Sequence, residues 1–194
     1  MSDKKPITLS FLDLETTGLD PDRHSITEVA VIKCSFKPGP DWRDTWEELD
    51  RYETKVLPSH PYVEPFVAKL NGYNTDEWMA SAQRLPPVRV RVYGRLRGTI
   101  ICGSNPNFDK GFLEKAMEAL DWNFPYLRSH HMIDVPSMAA ALLVTGQVDK
   151  IRQSTVSQVL EVENKEEHRA MADADQCLRL FLKVLDLTEG SFLK

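Results

Sequence analysis

Two largely apolar segments near the start of the chain, residues 7–14 and 26–36, constrain the fold more than any other feature. The first runs into the sequence Thr-Thr-Gly-Leu-Asp-Pro at 16–21, which is typical of a buried strand that ends in a loop. Further strands are predicted at 53–57 and 99–103, with helices between and after them. Early strands followed by helices interleaved with further strands indicate an α/β domain with a mixed sheet.

The helices are predicted from apolar side chains that recur every three or four residues. Residues 86–97 are ambiguous, because their valines fit both helical spacing and the alternation of a strand, and we prefer a helix. Helices are expected at residues 65–70, 76–82, 86–97 and 109–120, after Pro136, near 155–160 and at 167–187. No internal repeat, low-complexity tract or linker divides the chain, so we expect one domain over residues 1–194 with its core at about 7–187.

The charge balance and the cysteines restrict the partners and the compartment. The chain carries 24 Lys and Arg against 29 Asp and Glu, a net charge of −5, so any contact with nucleic acid must be local. Three separated cysteines, Cys34, Cys102 and Cys177, form no C-x-x-C pair, which favours a reducing compartment and gives no support to a zinc knuckle. No apolar run approaches the roughly 20 residues of a membrane span. We therefore expect a cytoplasmic protein without membrane contact.

Asp13 and Glu15 stand at the end of the first predicted strand. Side chains two apart on a strand point to the same face, so both carboxylates face one side of the sheet at its carboxyl end. In open α/β sheets, ligands bind at that end. The pair belongs to the one D-x-E sequence in the chain, although paired acids at a strand end are often only a solvated edge.

Two further acids attract attention by their positions. Asp109 is expected to open a helix directly after a short strand, where it could serve only to favour the helix dipole. Asp173 lies on the same predicted helix face as Cys177 and Val184 and so points toward the core, whereas Asp175 is expected to be an ordinary exposed acid. A buried acid must be paired, protonated or bound to a cation.

These four acids would raise one another's pKa values on converging, unless divalent cations neutralised them. Oxygen ligands alone suit Mg²⁺ or Mn²⁺ rather than zinc. Two such ions about 4 Å apart can clamp a phosphodiester, one activating the attacking water and the other stabilising the leaving oxygen. His168, five residues before Asp173, could take the proton of that water, although an isolated histidine in a charged segment is more often a surface residue.

Three short motifs carry these residues: DLETTGL at 13–19, SNPNFD at 104–109 and HRAMADA at 168–174. Their order and spacing resemble those of the DEDDh 3′-to-5′ exonucleases, a group that includes proofreading subunits of bacterial replicases, RNase T and oligoribonuclease. The resemblance covers about residues 7–187. It implies a ribonuclease H-like fold, with a mixed five-stranded sheet flanked by helices.

The resemblance also implies roles for the acids and the histidine. Asp13, Glu15, Asp109 and Asp173 match the metal-binding acids of the family, and His168 matches the general base. The cofactors implied are two divalent cations, Mg²⁺ or Mn²⁺. The substrate implied is the 3′ end of single-stranded DNA or RNA, and a polymerase or a second copy of the chain is a possible partner.

A second set of residues matches substrate-binding positions of the family. This set is Thr16, Thr17, Leu19, Leu70, Asn71 and Asn105. The two threonines match positions that help to hold the terminal nucleotide, and Leu19 matches an apolar wedge beside its base. Leu70 and Asn71 fall where relatives pack the other side of that base. Asn105 belongs to a Gly-Ser-Asn sequence where relatives often read Gly-His-Asn, which alters the local hydrogen bonding.

Three other features have simpler structural explanations. The arginine-rich stretch comprises Arg84, Arg89, Arg91, Arg95 and Arg97, which could track a phosphate backbone but more often form a solvated helix face. His130, His131 and Asp134 have the spacing of metal ligands, yet the following proline indicates that Asp134 ends a strand or caps a helix. We therefore do not expect a zinc site. Trp42 and Trp46, at helical spacing, are expected to form a small packed cover.

Two functions remain open from the sequence. The first is a metal-dependent exonuclease that releases 5′-mononucleotides from 3′ ends. The second is a non-catalytic module that keeps the fold to bind nucleic-acid ends or another protein. An enzyme that had lost its activity would be expected to lack one of the four acids or the histidine, and all five positions are filled. The sequence therefore favours the enzyme, without choosing between DNA and RNA.

Overall fold

The computed structural model describes residues 4–39, 41–60, 62–118 and 131–192, with side chains described as far as Leu187. Five strands form one sheet in the order β3-β2-β1-β4-β5. The strands are β1 Ile7–Thr16, β2 Ile26–Phe36, β3 Glu47–Lys55, β4 Ile100–Gly103 and β5 Met132–Asp134. The first three pair antiparallel, whereas β4 and β5 run parallel to β1. The predicted mixed five-stranded sheet is confirmed.

Helices flank this sheet on both faces. Within the described ranges they are α1 Trp42–Thr45, α2 Pro65–Asn71, α3 Thr75–Ser81, α4 Leu85–Leu96, α5 Pro106–Glu118, α6 Val135–Met138, α7 Ala140–Val144, α8 Gln153–Val159 and α9 Ala170–Phe192. The ambiguous segment at 86–97 is a helix, α4, as preferred. None of the helices in the described part of the chain is both long enough and apolar enough to cross a membrane.

The alternation of side chains along β1 divides the core into two layers. Leu9 and Phe11 face the layer covered by α9, where the ring of Phe11 meets that of Phe181 edge to face at 5.4 Å. Leu12 and Leu14 face the opposite layer, which α4 and α5 cover. Because side chains alternate along a strand, Asp13 and Glu15 continue the face that packs against α9. The fold therefore directs both carboxylates toward the start of that helix.

Three elements begin at least three residues away from their predicted starts. Strand β3 begins at Glu47 rather than at residue 53, because it is an edge strand whose early residues are exposed and polar and so lack an apolar pattern. Helix α5 begins at Pro106, which places Asp109 in its first turn rather than at its opening. Helix α9 begins at Ala170 rather than at residue 167, because a turn precedes it. The predicted end of α5, at residue 120, lies outside the described residues.

The tryptophan cover is confirmed, whereas the expectation for Asp175 is wrong. Trp42 and Trp46 pack against the core, and the ring of Trp46 stacks on that of Phe36 with centroids 5.9 Å apart. Asp175 is not simply solvated, because its carboxylate pairs with Arg51 of β3 at 3.0 Å and with an arginine of its own helix at 2.9 Å. Position within the helix alone could not reveal a partner from a distant strand.

Candidate active site

A cleft of about 300 Å³ opens where β1 ends, and its lining contains the four predicted acids and the predicted histidine. Asp13 and Glu15 come from β1, Asp109 from the first turn of α5, and His168 and Asp173 from the turn before α9 and its first turn. Residues up to 160 positions apart in the sequence are thus brought to one end of the sheet. These are the residues that carry the candidate chemistry.

Asp109 fixes α5 to the strand that carries the first two acids. Its side chain is buried, and its Oδ1 atom accepts a hydrogen bond of 3.0 Å from the backbone N–H of Leu14. The N-terminal turn of a helix favours a carboxylate electrostatically.

Gly103 allows the close approach of β4 to β1, because a Cβ there would lie 3.0 Å from the carbonyl oxygen of Leu12.

Two hydrogen bonds orient the carboxylate of Asp173. Its Oδ1 atom accepts from Nδ2 of Asn164 at 2.7 Å, and its Oδ2 atom accepts from the backbone N–H of His168 at 2.9 Å. His168 has a φ of 64°, in the left-handed region that residues other than glycine seldom adopt. The bond to Asp173 therefore supports a strained turn, and this turn places the imidazole beside the carboxylate.

The sequence reasoning missed a buried ion pair behind the acids. Glu28 of β2 pairs in the sheet with Glu15 and is 1% exposed. Its carboxylate accepts from Nη2 of Arg169 at 3.0 Å and from the backbone N–H of Ala170 at 3.3 Å. A charged residue in the apolar run Ile-Thr-Glu-Val-Ala-Val was the signal that could have revealed it. Glu28 thereby anchors the N-terminus of α9, next to His168.

Burial raises the pKa values of all four acids, and repulsion from neighbouring carboxylates adds to this rise. Burial contributes most to the raised pKa of Asp13, and the charges of Asp109, Asp173 and Glu15 add to it. Burial, followed by the charge of Asp173, raises the pKa of Glu15 to about 7. Burial also raises the pKa of Asp109, and it raises the pKa of Asp173 to about 6. The cleft therefore favours protons, or another source of positive charge.

The donor set fits divalent cations. Glu15, His168 and Asp173 each offer a ligand atom, and these atoms lie within 4.8 Å of one another in the described structure. Asp13 and Asp109 add carboxylates whose pKa values are raised by the same crowding. Cations would remove this repulsion, and a set dominated by carboxylate oxygens suits hard ions such as Mg²⁺ or Mn²⁺.

The six predicted substrate residues divide into a bonded group and an exposed group. Thr16 Oγ1 donates to the carbonyl of Gly18 at 2.7 Å, and Thr17 Oγ1 accepts from the backbone N–H of Ser25 at 3.0 Å. Asn71 is buried, and its Nδ2 atom donates to the carbonyl of Thr16 at 3.1 Å. Its amide also hydrogen-bonds Glu15 and opposes the rise in the pKa of that acid. Asn71 thus faces the acids rather than an open surface.

The exposed group comprises the two leucines and Asn105. Leu19 is 74% exposed and Leu70 is 43% exposed. Asn105 lies in the β4–α5 turn with a φ of 54°, and its backbone N–H donates to Asp134 at 3.2 Å. Asn105 thus lies on a turn tied to β5, whereas the two leucines belong to the loop after β1 and to α2.

The alternative clusters have structural partners. Asp134 accepts hydrogen bonds from Ser137 and Asn105, His131 is exposed, and His130 lies outside the described residues. In the arginine-rich stretch, Arg89 is buried and donates to the carbonyl of Ala116 at 2.8 Å. Arg95 pairs with Asp50 at 2.8 Å and lies over the ring of Tyr52. Much of this basic stretch is therefore engaged in packing.

The sequence is similar to a known family and to several known proteins. The profile of the exonuclease family RNase_T matches residues 10–181. A PolC-type DNA polymerase III from Thermotoga petrophila is 30% identical over 186 residues, covering 93% of this chain and 12% of that protein. DNA polymerase III subunit epsilon from Treponema pallidum is 25% identical over 179 residues, covering 92% of this chain and 77% of that protein. The chain thus spans only a small part of the PolC-type relatives.

Solved structures resemble this fold as well. E. coli Exonuclease I in complex with a dT13 oligonucleotide has a TM-score of 0.76 and 17% identity, covering 95% of this chain and 42% of that one. The zinc-bound form of the E. coli Exonuclease I complex with single-stranded DNA also has a TM-score of 0.76, with 16% identity and the same coverage of both chains. At such identities the likeness shows the fold alone.

Proposed function

Because the chain belongs to the exonuclease family RNase_T and to its DEDDh 3′-to-5′ type, we propose that it hydrolyses phosphodiester bonds at the 3′ end of single-stranded DNA or RNA and releases 5′-mononucleotides. The observation that carries the proposal is the meeting of four buried or half-buried acids and one histidine in a single cleft. Hydrolysis of a phosphodiester requires concentrated positive charge beside the attacking and leaving oxygens, and a cluster of carboxylates can hold the cations that supply it.

Asp13, Glu15, Asp109 and Asp173 are proposed to hold two divalent cations, Mg²⁺ or Mn²⁺. Such ions, when bound, lower the pKa of a water molecule and stabilise the leaving oxygen. The carboxylates then stay ionised at neutral pH despite the burial that raises their pKa values. The bond from Leu14 N–H keeps Asp109 turned toward β1, and Asn164 keeps Asp173 turned toward Glu15 and His168.

His168 is proposed to take the proton of the attacking water. A neutral imidazole can accept a proton on one ring nitrogen, as a general base must. Its backbone is held by the bond to Asp173 and, one residue on, by the ion pair between Arg169 and Glu28. The imidazole therefore belongs to a braced turn at the edge of the cleft.

The six substrate residues carried over from the family are proposed to act in three ways. Thr16 and Thr17 position the end of β1, while Asn71 braces Thr16 and Glu15. Leu19 and Leu70 offer exposed apolar surface to the terminal base. Asn105 is proposed to hold the start of α5 near the substrate. A change of Leu19 or Leu70 to Ala should raise KM more than it lowers kcat.

The domain organisation and the partners are proposed on the same basis. A single exonuclease domain over residues 1–194, with its core at about 7–187, is supported by the family match to residues 10–181. The relatives named above are DNA polymerases and a polymerase subunit, which supports a polymerase as partner, while a second copy of the chain is the alternative. Sedimentation of the purified chain, alone and with a polymerase, distinguishes the two.

Cleavage of 5′-labelled oligonucleotides tests the proposal. We expect stepwise shortening with Mg²⁺ or Mn²⁺, and no shortening with EDTA or with Asp13→Ala. His168→Ala should keep metal binding and lose about 10²- to 10⁴-fold in rate. Asp149→Ala removes an exposed acid that does not line the cleft and should leave the rate unchanged.

The same assay separates the possible substrates and the rival function. Matched DNA and RNA oligonucleotides of several lengths show which sugar and which length are preferred, since discrimination depends on contacts to the 2′-hydroxyl. Full activity of Asp13→Ala, or cleavage unaffected by chelator, contradicts the mechanism. Binding of 3′ ends without any cleavage under either metal supports the non-catalytic module instead.

A further inference from the structure

A histidine outside the acidic cleft, His24, connects two segments that adjoin it. The side chain of His24 is 6% exposed. Its Nε2 atom lies 3.1 Å from Oε1 of Glu64, and its Nδ1 atom lies 3.3 Å from Oγ1 of Thr17. The ring also lies against Gly18, where a Cβ would be 2.4 Å from the nearest ring atom, so any side chain there would displace the imidazole. His24 is thus enclosed by the loop after β1 and by the residue that precedes α2.

The directions of the hydrogen bonds explain why an imidazole suits this place. Oγ1 of Thr17 already accepts from the backbone N–H of Ser25 at 3.0 Å, so its hydroxyl hydrogen can be donated to Nδ1 of His24. Nε2 then carries the ring hydrogen and donates it to the carboxylate of Glu64. The position therefore requires an acceptor on one side and a donor on the other, which an aliphatic side chain cannot supply.

Helix α2 depends on such polar contacts because it buries little apolar surface. Of its seven residues, only Val67 and Asn71 are buried. At its start, the backbone N–H of Glu64 donates to the carbonyl of Thr17 at 3.0 Å. At its end, Asn71 donates to the carbonyl of Thr16. Polar contacts to the end of β1 therefore hold both ends of this helix, and His24 completes the contact at its start.

The two segments that His24 connects carry exposed apolar side chains. Leu19 follows Gly18 in the loop and is 74% exposed, whereas Phe66 and Leu70 belong to α2 and are 72% and 43% exposed. We infer that His24 is a positioning residue, which holds the 17–19 loop and α2 in the arrangement that lets these side chains take up the terminal base. The inference rests on the proposed function, and it concerns substrate affinity rather than the hydrolytic step.

Loss of this connection should weaken binding without slowing chemistry. Without His24, α2 would spend part of its time displaced, and the apparent affinity falls by the fraction of molecules that remain competent. Loss of one hydrogen bond to a charged group can lower the affinity for the substrate by about 10- to 100-fold at most. We expect a value at the lower end of this range, a rise in KM of about tenfold. Asp109, Asp173 and His168 are anchored separately, by Leu14, Asn164 and Glu28. Asn71, which bonds Glu15, lies at the other end of α2 from Glu64 and keeps its own bond to Thr16, so kcat should stay within about twofold.

A double-mutant cycle on the whole chain tests the inference. His24→Leu keeps most of the volume of the ring and removes both hydrogen bonds, while Glu64→Gln removes the charge from a carboxylate that is 39% exposed. His60→Leu is the matched control, because this histidine is exposed and, among the described residues, its ring bonds only the neighbouring Ser59. KM and kcat on a 5′-labelled oligonucleotide, the affinity for the same oligonucleotide and the Mg²⁺ midpoint are measured for each variant.

We expect His24→Leu to raise KM about tenfold and Glu64→Gln to raise it less, because an amide oxygen can still accept from Nε2 of His24. The double variant should resemble His24→Leu, because both substitutions act on the same contact. The control and the Mg²⁺ midpoint should not change. Unchanged KM in His24→Leu, additive effects of the two substitutions, or a loss of kcat alone would overturn the inference. If the wild-type chain does not cleave the oligonucleotide, the proposed function fails. The affinities of the wild type and His24→Leu for the oligonucleotide then test the inference separately, and equal affinities overturn it.

Discussion

Raising the pH of the metal-free chain should destabilise it, because the folded cleft holds protons that the unfolded chain releases. Glu15 has an ordinary pKa of 4.5, which folding raises to about 7, and Asp173 has an ordinary pKa of 3.8, which folding raises to about 6. Between these limits the folded state binds more protons than the unfolded state, so the free energy of unfolding falls as pH rises. The cost is absent below about pH 4 and complete above about pH 7.

The magnitude follows from the two shifts. Each pKa unit corresponds to about 1.4 kcal/mol, so either acid alone costs about 3 kcal/mol once it is ionised. The charge of Asp173 is one cause of the shift of Glu15, so the pair together costs less than the sum of the two. For a chain of this size, 1 kcal/mol moves Tm by about 2–4 °C, so Tm should fall by about 10 °C between pH 5 and pH 8.

Other carboxylates do not obscure this trend. Hydrogen bonds from Arg51 lower the pKa of Glu48, and the contact with Lys55 lowers the pKa of Glu77. Acids with lowered pKa values contribute stability that is lost only as pH falls through those values, so they act below about pH 4.5. The two effects have opposite signs and occupy different pH ranges.

Thermal unfolding in EDTA and in saturating Mg²⁺, from pH 5 to pH 8, measures the effect. Mg²⁺ should raise Tm more at pH 8 than at pH 5, because cations bind the ionised carboxylates. Glu15→Gln should flatten the profile in EDTA, and Asp149→Asn, a change to an exposed acid, should not. A metal-free Tm that stays constant or rises from pH 5 to pH 8, in wild type and Glu15→Gln alike, would refute the reasoning.

Three further predictions concern single contacts. Glu28→Gln should lower kcat at least tenfold in the cleavage assay with KM unchanged, because the anchor of the turn that carries His168 is weakened; an unchanged kcat contradicts this role. Arg84→Gln with Arg91→Gln should leave the salt dependence of KM unaltered, and a flatter dependence would show phosphate contacts there. Asp13→Asn should abolish cleavage yet raise the metal-free Tm at pH 8, whereas a lower Tm would deny that its charge is costly.

The sheet and most helices could be predicted from the sequence because their residues follow regular apolar periods. β1 and β2 are strongly apolar, and the spacing of its valines correctly predicts α4. The early part of β3 could not be predicted, since an edge strand that faces solvent has no apolar period. The start of α9 was also misplaced, because a turn held by the side chain of Asp173 looks helical in composition.

The candidate site was predictable only as far as motifs reach. The acids and His168 stand in motifs with recognisable order, whereas their supports come from distant segments that carry no motif. Asn164 lies in an irregular loop, and Glu28 lies in a strand where the sequence shows only an interruption of apolar residues. Which donor meets which carboxylate depends on the pairing of β1 with β2 and on the path of the chain before α9, neither of which a local pattern specifies.

The distribution of these supports identifies Asp13 as the acid in which stability and function conflict most. Asp109 accepts a hydrogen bond from Leu14, and Asp173 accepts from Asn164 and His168. Glu15 accepts from Asn71. Within the described residues, no donor reaches Asp13, and every cause that acts on its pKa raises it. Its ionised form is therefore stabilised by little in the protein itself. A bound cation would therefore contribute most at Asp13, so the presence of this acid in the cleft is better explained by chemistry than by folding.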